Sequence, residues 1–224
     1  MRKTTVAAGL TAVLLAGLSA GAAASGPVAA DQHPQAFVER AEEAFAAGEL
    51  DEAVALFDRL ARLDPETAPW MWQRGIALYY LGRYDACAAQ FADYQQVNPG
   101  DLESAVWHVA CVARARSIDE ARRVMFPPGR DARIMRAEIY EMFAGRLPPG
   151  VVLERARFVA DVAVFYASFY AALYLEVVGD QEAARRLLTR ATDPRYDGLA
   201  GFMNVVARVH RARLEGEGRD EEER

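Results

Sequence analysis

Three histidines and two cysteines are the residues of this 224-residue chain best suited to acid–base, nucleophilic or metal chemistry, and their spacing argues against all three. His33, His108 and His210 lie far apart in sequence, with no interval typical of metal ligands. No metal and no other cofactor is therefore expected. The chain has no Gly-x-Ser-x-Gly, no phosphate-binding glycine loop and no His-Glu-x-x-His. Its carboxylates fall mostly on the solvent faces of predicted helices, so the residues point to binding and not to catalysis.

The elements that would position a binding surface begin after an atypical start. Met1-Arg2-Lys3 is followed by an uncharged, alanine-rich stretch, and the first acid is Asp31. A basic start, the short apolar centre Val6 to Leu18 and the small residues Ala22-Ala23-Ala24 predict a signal peptide over 1–24, cleaved before Ser25, with a linker over 25–34. The apolar centre is short for a membrane span, although an uncleaved anchor remains the alternative. No cysteine lies near the cleavage region, so a lipid anchor of the lipoprotein kind is not expected. The mature protein is predicted to be exported, periplasmic or secreted. Cleavage would remove Arg2 and Lys3 from 26 basic residues against 32 acidic ones, taking the formal net charge from −6 to about −8, which argues against nucleic acid as a partner.

One internal period organises the rest. Gly48-Glu49-Leu50-Asp51-Glu52-Ala53 recurs 34 residues on as Gly82-Arg83-Tyr84-Asp85-Ala86-Cys87, and again as Arg116-Ser117-Ile118-Asp119-Glu120-Ala121. Phe57, Phe91 and Met125 recur four places after the small residue, and Pro65 repeats as Pro99. Small residues at Ala53, Cys87 and Ala121, with Gly75 opposite, allow two helices to approach closely. Glycine suits the tight turn between the helices of a pair, and proline ends the second helix.

This pattern resembles the tetratricopeptide repeat family, most specifically from Gln35 to Met125. The run Trp70 to Tyr84 and the later Phe165 to Tyr170 are similar to a branch of exported bacterial and plastid tetratricopeptide proteins, a likeness that implies no activity. A looser similarity connects the chain to the periplasmic tetratricopeptide lipoprotein of enteric bacteria that scaffolds cell-wall hydrolases and proteases, although the lipid-bearing cysteine is missing here. The resemblance implies an all-α fold, a right-handed superhelical solenoid of antiparallel helix pairs with a C-terminal capping helix. Repeats are expected near 35–67, 68–101 and 102–126, a degenerate one at 130–161 and another at 162–194. A cap over 199–214 and a disordered charged tail over 215–224 would follow. Phe126-Pro127-Pro128-Gly129 and Leu147-Pro148-Pro149-Gly150 are read as connections flanking a helix from Ala132 to Ala144.

In such a stack the first helix of each pair lines the concave surface. That register assigns Val38, Glu42 and Phe45, then Trp72, Ile76, Tyr79 and Tyr80, then Val106, Ala110 and Arg114, and lastly Tyr166, Phe169, Leu173 and Glu176 to a groove. Trp72, Tyr79 and Tyr80 are its expected aromatic anchors and Arg114 its cation, for a protein or peptide partner. The expected function is a non-enzymatic scaffold or adaptor. Alternatives are a structural subunit of a larger assembly or homo-oligomer and, more weakly, a carrier of a hydrophobic ligand. Cys87 and Cys111 fall on adjacent predicted helices, and two readings stay open: a disulfide, or two small core residues.

Overall fold

A computed structural model describes residues 34–222, with side chains to 216; the predicted signal peptide, most of the linker and His33 lie outside the described residues. Among the described residues the fold is all-helical, without strands. Consecutive helices pack against one another: α1 (Pro34–Ala47) on α2 (Leu50–Leu63), α3 (Trp72–Tyr80) on α4 (Tyr84–Val97), and α5 (Leu102–Ala115) on α6 (Ile118–Arg123). There follow α7 (Arg136–Phe143), α8 (Pro149–Ala156), α9 (Asp161–Val177), α10 (Gln181–Ala191) and α11 (Phe202–Glu222). No helix among the described residues is long and apolar enough to cross a membrane.

The repeated residues do close-packing work. Ala53, Cys87 and Ala121 are fully buried. A methyl group added at Gly75 would lie 2.7 Å from Phe91 Cε2, so α3 sits against α4 only because position 75 has no side chain. Gly48 and Gly82 take the left-handed conformation, φ +80° and +70°, that turns the chain between paired helices. Cys87 on α4 and Cys111 on α5 are disulfide-bonded, with Cα atoms 5.8 Å apart and a sequence separation of 24. In the chain-entropy picture, closing a loop of that size stabilises by about 3 kcal/mol. Reduction in denaturant followed by refolding under reducing conditions is expected to lower the unfolding free energy by about that amount. Thiol titration of the unfolded, unreduced chain should find no reactive thiol, and two per chain would contradict the bond.

The fourth pair departs from the predicted boundaries. The helix expected from Ala132 starts at Arg136, because a long-range lock holds the preceding segment. Leu102 N–H donates to Asp131 Oδ2 at 3.3 Å, Arg133 donates to Asp101, Glu103 and Asp131, and Met135 adopts φ +63°. Beside this lock, Gly129 lies so close to Gly100 that a Cβ there would sit 1.9 Å from the Gly100 Cα. The same loop buries His108. Its ring packs on Phe126 at 4.7 Å, its Nδ1 has no hydrogen-bond partner, and burial lowers its pKa to about 4. The neutral ring is favoured in the folded state, so its stabilising contribution is present above the unfolded value of about 6.5 and is lost as pH falls towards 4. The loss is on the order of 3 kcal/mol. Urea titrations at pH 7 and pH 4.5 should show a difference in stability that His108→Leu largely removes.

The C-terminal helix differs most from expectation. Instead of only covering the last pair, α11 touches α1, α3, α9 and α10 together. Phe202 packs on Phe45 and Trp72 with ring centroids 5.3 and 5.7 Å apart. His210 meets Tyr80 and Phe169, Arg213 Nε donates to Tyr80 O at 2.9 Å, and Arg185 Nε donates to Leu214 O at 3.2 Å. Met203, Val206, Ala207, Val209, His210 and Leu214 are buried by these contacts. The helix runs on to Glu222, through most of the segment expected to be disordered, and the Arg211–Glu215 pair at 2.7 Å spans one turn at its entry.

Candidate binding cleft

The first turn of α5 anchors the site. Asp101 caps the helix, accepting from Ser104 N–H at 2.7 Å, and its other oxygen accepts from Arg133 Nη2 at 2.7 Å. Two residues on, Glu103 Oε2 accepts from Arg136 Nε and Nη2 at 3.0 and 2.8 Å and from Arg133 Nη1 at 3.1 Å. Glu103 Oε1 accepts from the Tyr170 hydroxyl. Burial, then the neighbouring Glu103 charge, keeps Tyr170 protonated well beyond its ordinary range. The Arg136 guanidinium is buried and stacks over the Tyr166 ring at 3.9 Å. Hydrogen bonding to Asp131 is the main reason that Arg133 holds its proton more tightly than usual; burial would raise Asp131, but Arg133 outweighs it and lowers the carboxyl.

These groups border a chamber of about 260 Å³ whose walls include Trp72, Phe91, Trp107, Tyr166 and Phe202. Trp107 stacks on Phe91 with planes 9° apart. Through Tyr94, Asp101 and Arg133 the chamber adjoins a more polar vestibule of about 330 Å³, which Asn98, Arg130 and Asp131 complete. No model of a known protein family matches the chain, and no curated protein does. The reading of this cleft therefore rests on its own geometry.

A second cluster is centred on a carboxylate and an imidazole that are both fully buried. Glu176 on α9 is buried beneath α11, where its Oε2 lies 2.6 Å from His210 Nε2. Its Oε1 faces Arg114 Nη1 at 3.5 Å and Arg213 Nη1 at 3.7 Å. Burial alone would raise the Glu176 pKa, but His210 and the two arginines outweigh it and lower the carboxyl below its ordinary value. Arg114 also donates to the Tyr84 hydroxyl at 2.9 Å.

The residues expected to line a groove thus divide. Trp72 and Tyr166 reach the chamber. Ile76, Val106 and Phe169 are fully buried, and so are Tyr79 and, all but completely, Tyr80. The expectation that Tyr79 and Tyr80 present free aromatic faces is corrected: α11 and the α4–α5 aromatics cover them. Arg114 and Glu176 face each other inside the second cluster and not an open groove. Sequence reasoning missed Trp107, Glu103, Arg133, Arg136 and Phe202. The available signal was Asp101-x-Glu103 opposite Arg133-x-x-Arg136, two like-charged pairs, each at a spacing that puts both members at one helix end. Among the described residues no cluster of three or more histidine, cysteine or acidic side chains is placed to hold a metal.

Proposed function

We propose that the protein is an exported, non-enzymatic adaptor of the tetratricopeptide type, whose helix pairs form a right-handed superhelical stack. The aromatic chamber at the start of α5 seats a single aromatic side chain of a partner peptide. The size and walls of the chamber carry this reading. About 260 Å³ lies below the range of roughly 300–1,000 Å³ typical of cofactor and drug-sized pockets, which favours one side chain over a carried lipid or polycyclic ligand. Phe202 already packs edge-on to Trp72, so the walls accept an aromatic ring in that geometry. The carboxylates around the chamber are engaged by arginine, an arrangement suited to fixed recognition more than to proton transfer.

Calorimetric titration with capped hexapeptides carrying a central Phe tests this. Binding is expected to weaken at least about tenfold when that Phe is replaced by Ala. Met203 on α11 also lines the chamber, so Met203→Trp should fill it and block binding while the helical circular dichroism is kept. Wild-type affinity in Met203→Trp would move the seat elsewhere. A second reading, as a subunit of a larger assembly, draws on the exposed side chains of Phe158 and Val159 at the α8–α9 turn, which are 82% and 56% accessible. Light scattering of the isolated protein separates the two readings.

A further inference from the structure

Hydrogen-bond accounting across the cleft shows an imbalance that the chamber alone does not explain. Every carboxylate oxygen there already accepts. Asp101 takes Ser104 N–H and Arg133, Glu103 takes Tyr170, Arg133 and Arg136, and Asp131 takes the Arg133 backbone and side chain together with Leu102 N–H. Arg130, by contrast, is an exposed vestibule side chain with no hydrogen bond or ion pair, the one charged group of the vestibule in that state among the described residues. The one unengaged charge of the vestibule is therefore a hydrogen-bond donor, and the guanidinium fork is matched to a carboxylate.

Arg130 is also held in place. The preceding Gly129 is pressed against Gly100, and the following Asp131 is tied to Leu102 N–H. Phe126, at the start of the same loop, accepts from the Tyr140 hydroxyl at 2.8 Å. With the backbone fixed at both neighbours, only the Arg130 side chain has to be ordered when it meets a ligand, and that ordering keeps the gain small.

We infer that the cleft reads a two-part motif: an aromatic side chain in the chamber and, within about three residues of it, an acidic side chain at Arg130 in the vestibule. The inference rests on the adaptor reading and names the ligand class of the same site. The aromatic part supplies most of the affinity. The acidic part supplies selectivity, and because Arg130 is exposed and the cleft as a whole is charge-balanced, its contribution is modest and salt-dependent.

The test uses the full mature protein and capped peptides with a central Phe, in which a single Asp, Arg or Ser is moved through the three positions on either side. At low salt one Asp position should bind roughly three- to tenfold more tightly than Ser, and Arg at that position more weakly than Ser. Arg130→Glu, an exposed loop change, should reverse that order, and about 0.5 M salt should flatten it. Phe peptides that bind equally whatever the flanking charge, with Arg130→Glu unchanged, would overturn the two-part motif and leave the adaptor reading standing. Preference for Arg in the wild type would overturn it too. If no Phe peptide binds but a small aromatic molecule such as naphthol does, the adaptor reading itself fails, and the motif with it.

Discussion

Replacing Tyr79 and Tyr80 together with alanine is expected to unfold the protein. Tyr79 is fully buried, edge-on to Tyr84 and Trp107 with ring centroids 5.5 Å away in both cases, and Tyr80 packs between Phe45 and His210 at 6.0 and 5.1 Å. Removing a buried aromatic side chain costs about 3–5 kcal/mol, and although neighbouring losses do not simply add, two of them approach the 5–15 kcal/mol that holds a domain of this kind folded. Circular dichroism and a urea titration give the answer. The paired change to phenylalanine keeps the rings. It sacrifices only the Tyr80 hydroxyl's long 3.4 Å bond to Val206 O, since the Tyr79 hydroxyl has no partner, and it should melt close to wild type. A native-like melt for the double alanine variant would mean that α11 does not cover α3.

Glu176→Ala is expected to cost about 3–5 kcal/mol, the penalty for removing one member of a buried ionic cluster. His210 would lose its 2.6 Å partner, and Arg114 and Arg213 their common, fully buried counter-charge. Because the folded-state pKa of Glu176 is lowered, its contribution is fully present above the unfolded carboxylate value and is lost as pH falls through the folded one. The stability gap between wild type and Glu176→Ala should therefore be widest near neutral pH and close in acid. Equal unfolding midpoints at pH 7 would show that the cluster is not closed in solution.

The local helix pairing was legible because short-range rules fix it. A 34-residue spacing of small residues, with Gly75 opposite Phe91, requires two helices in contact, and the turns at Gly48 and Gly82 need only their neighbours. What covers the inner face was not legible, because Tyr80 meets Val206 and His210 across more than a hundred residues and no periodicity carries that information. One signal was present: α9 is apolar nearly all round, which marks a helix buried on both sides and not one lining an open groove. The late start of α7 has the same origin. Its sequence permits helix from Ala132, but Asp131 and Arg133 are held by the distant first turn of α5. The cleft was half readable, since Trp72 and Tyr166 fell out of the register, while Glu103, Arg136 and Phe202 reach it only through contacts between separate pairs.

Three tryptophans make the central claim directly observable. Trp72 and Trp107 wall the chamber, whereas Trp70 lies outside it, half-exposed against Tyr94. Indole N–H signals in a ¹H–¹⁵N spectrum, assigned by single Trp→Phe changes, should respond to titration with the Phe hexapeptide at Trp72 and Trp107 along one common saturation curve, with Trp70 moving least. A saturating peptide that leaves Trp72 and Trp107 unmoved, or shifts Trp70 alone, would contradict the assignment of the chamber as the seat of a partner's aromatic side chain.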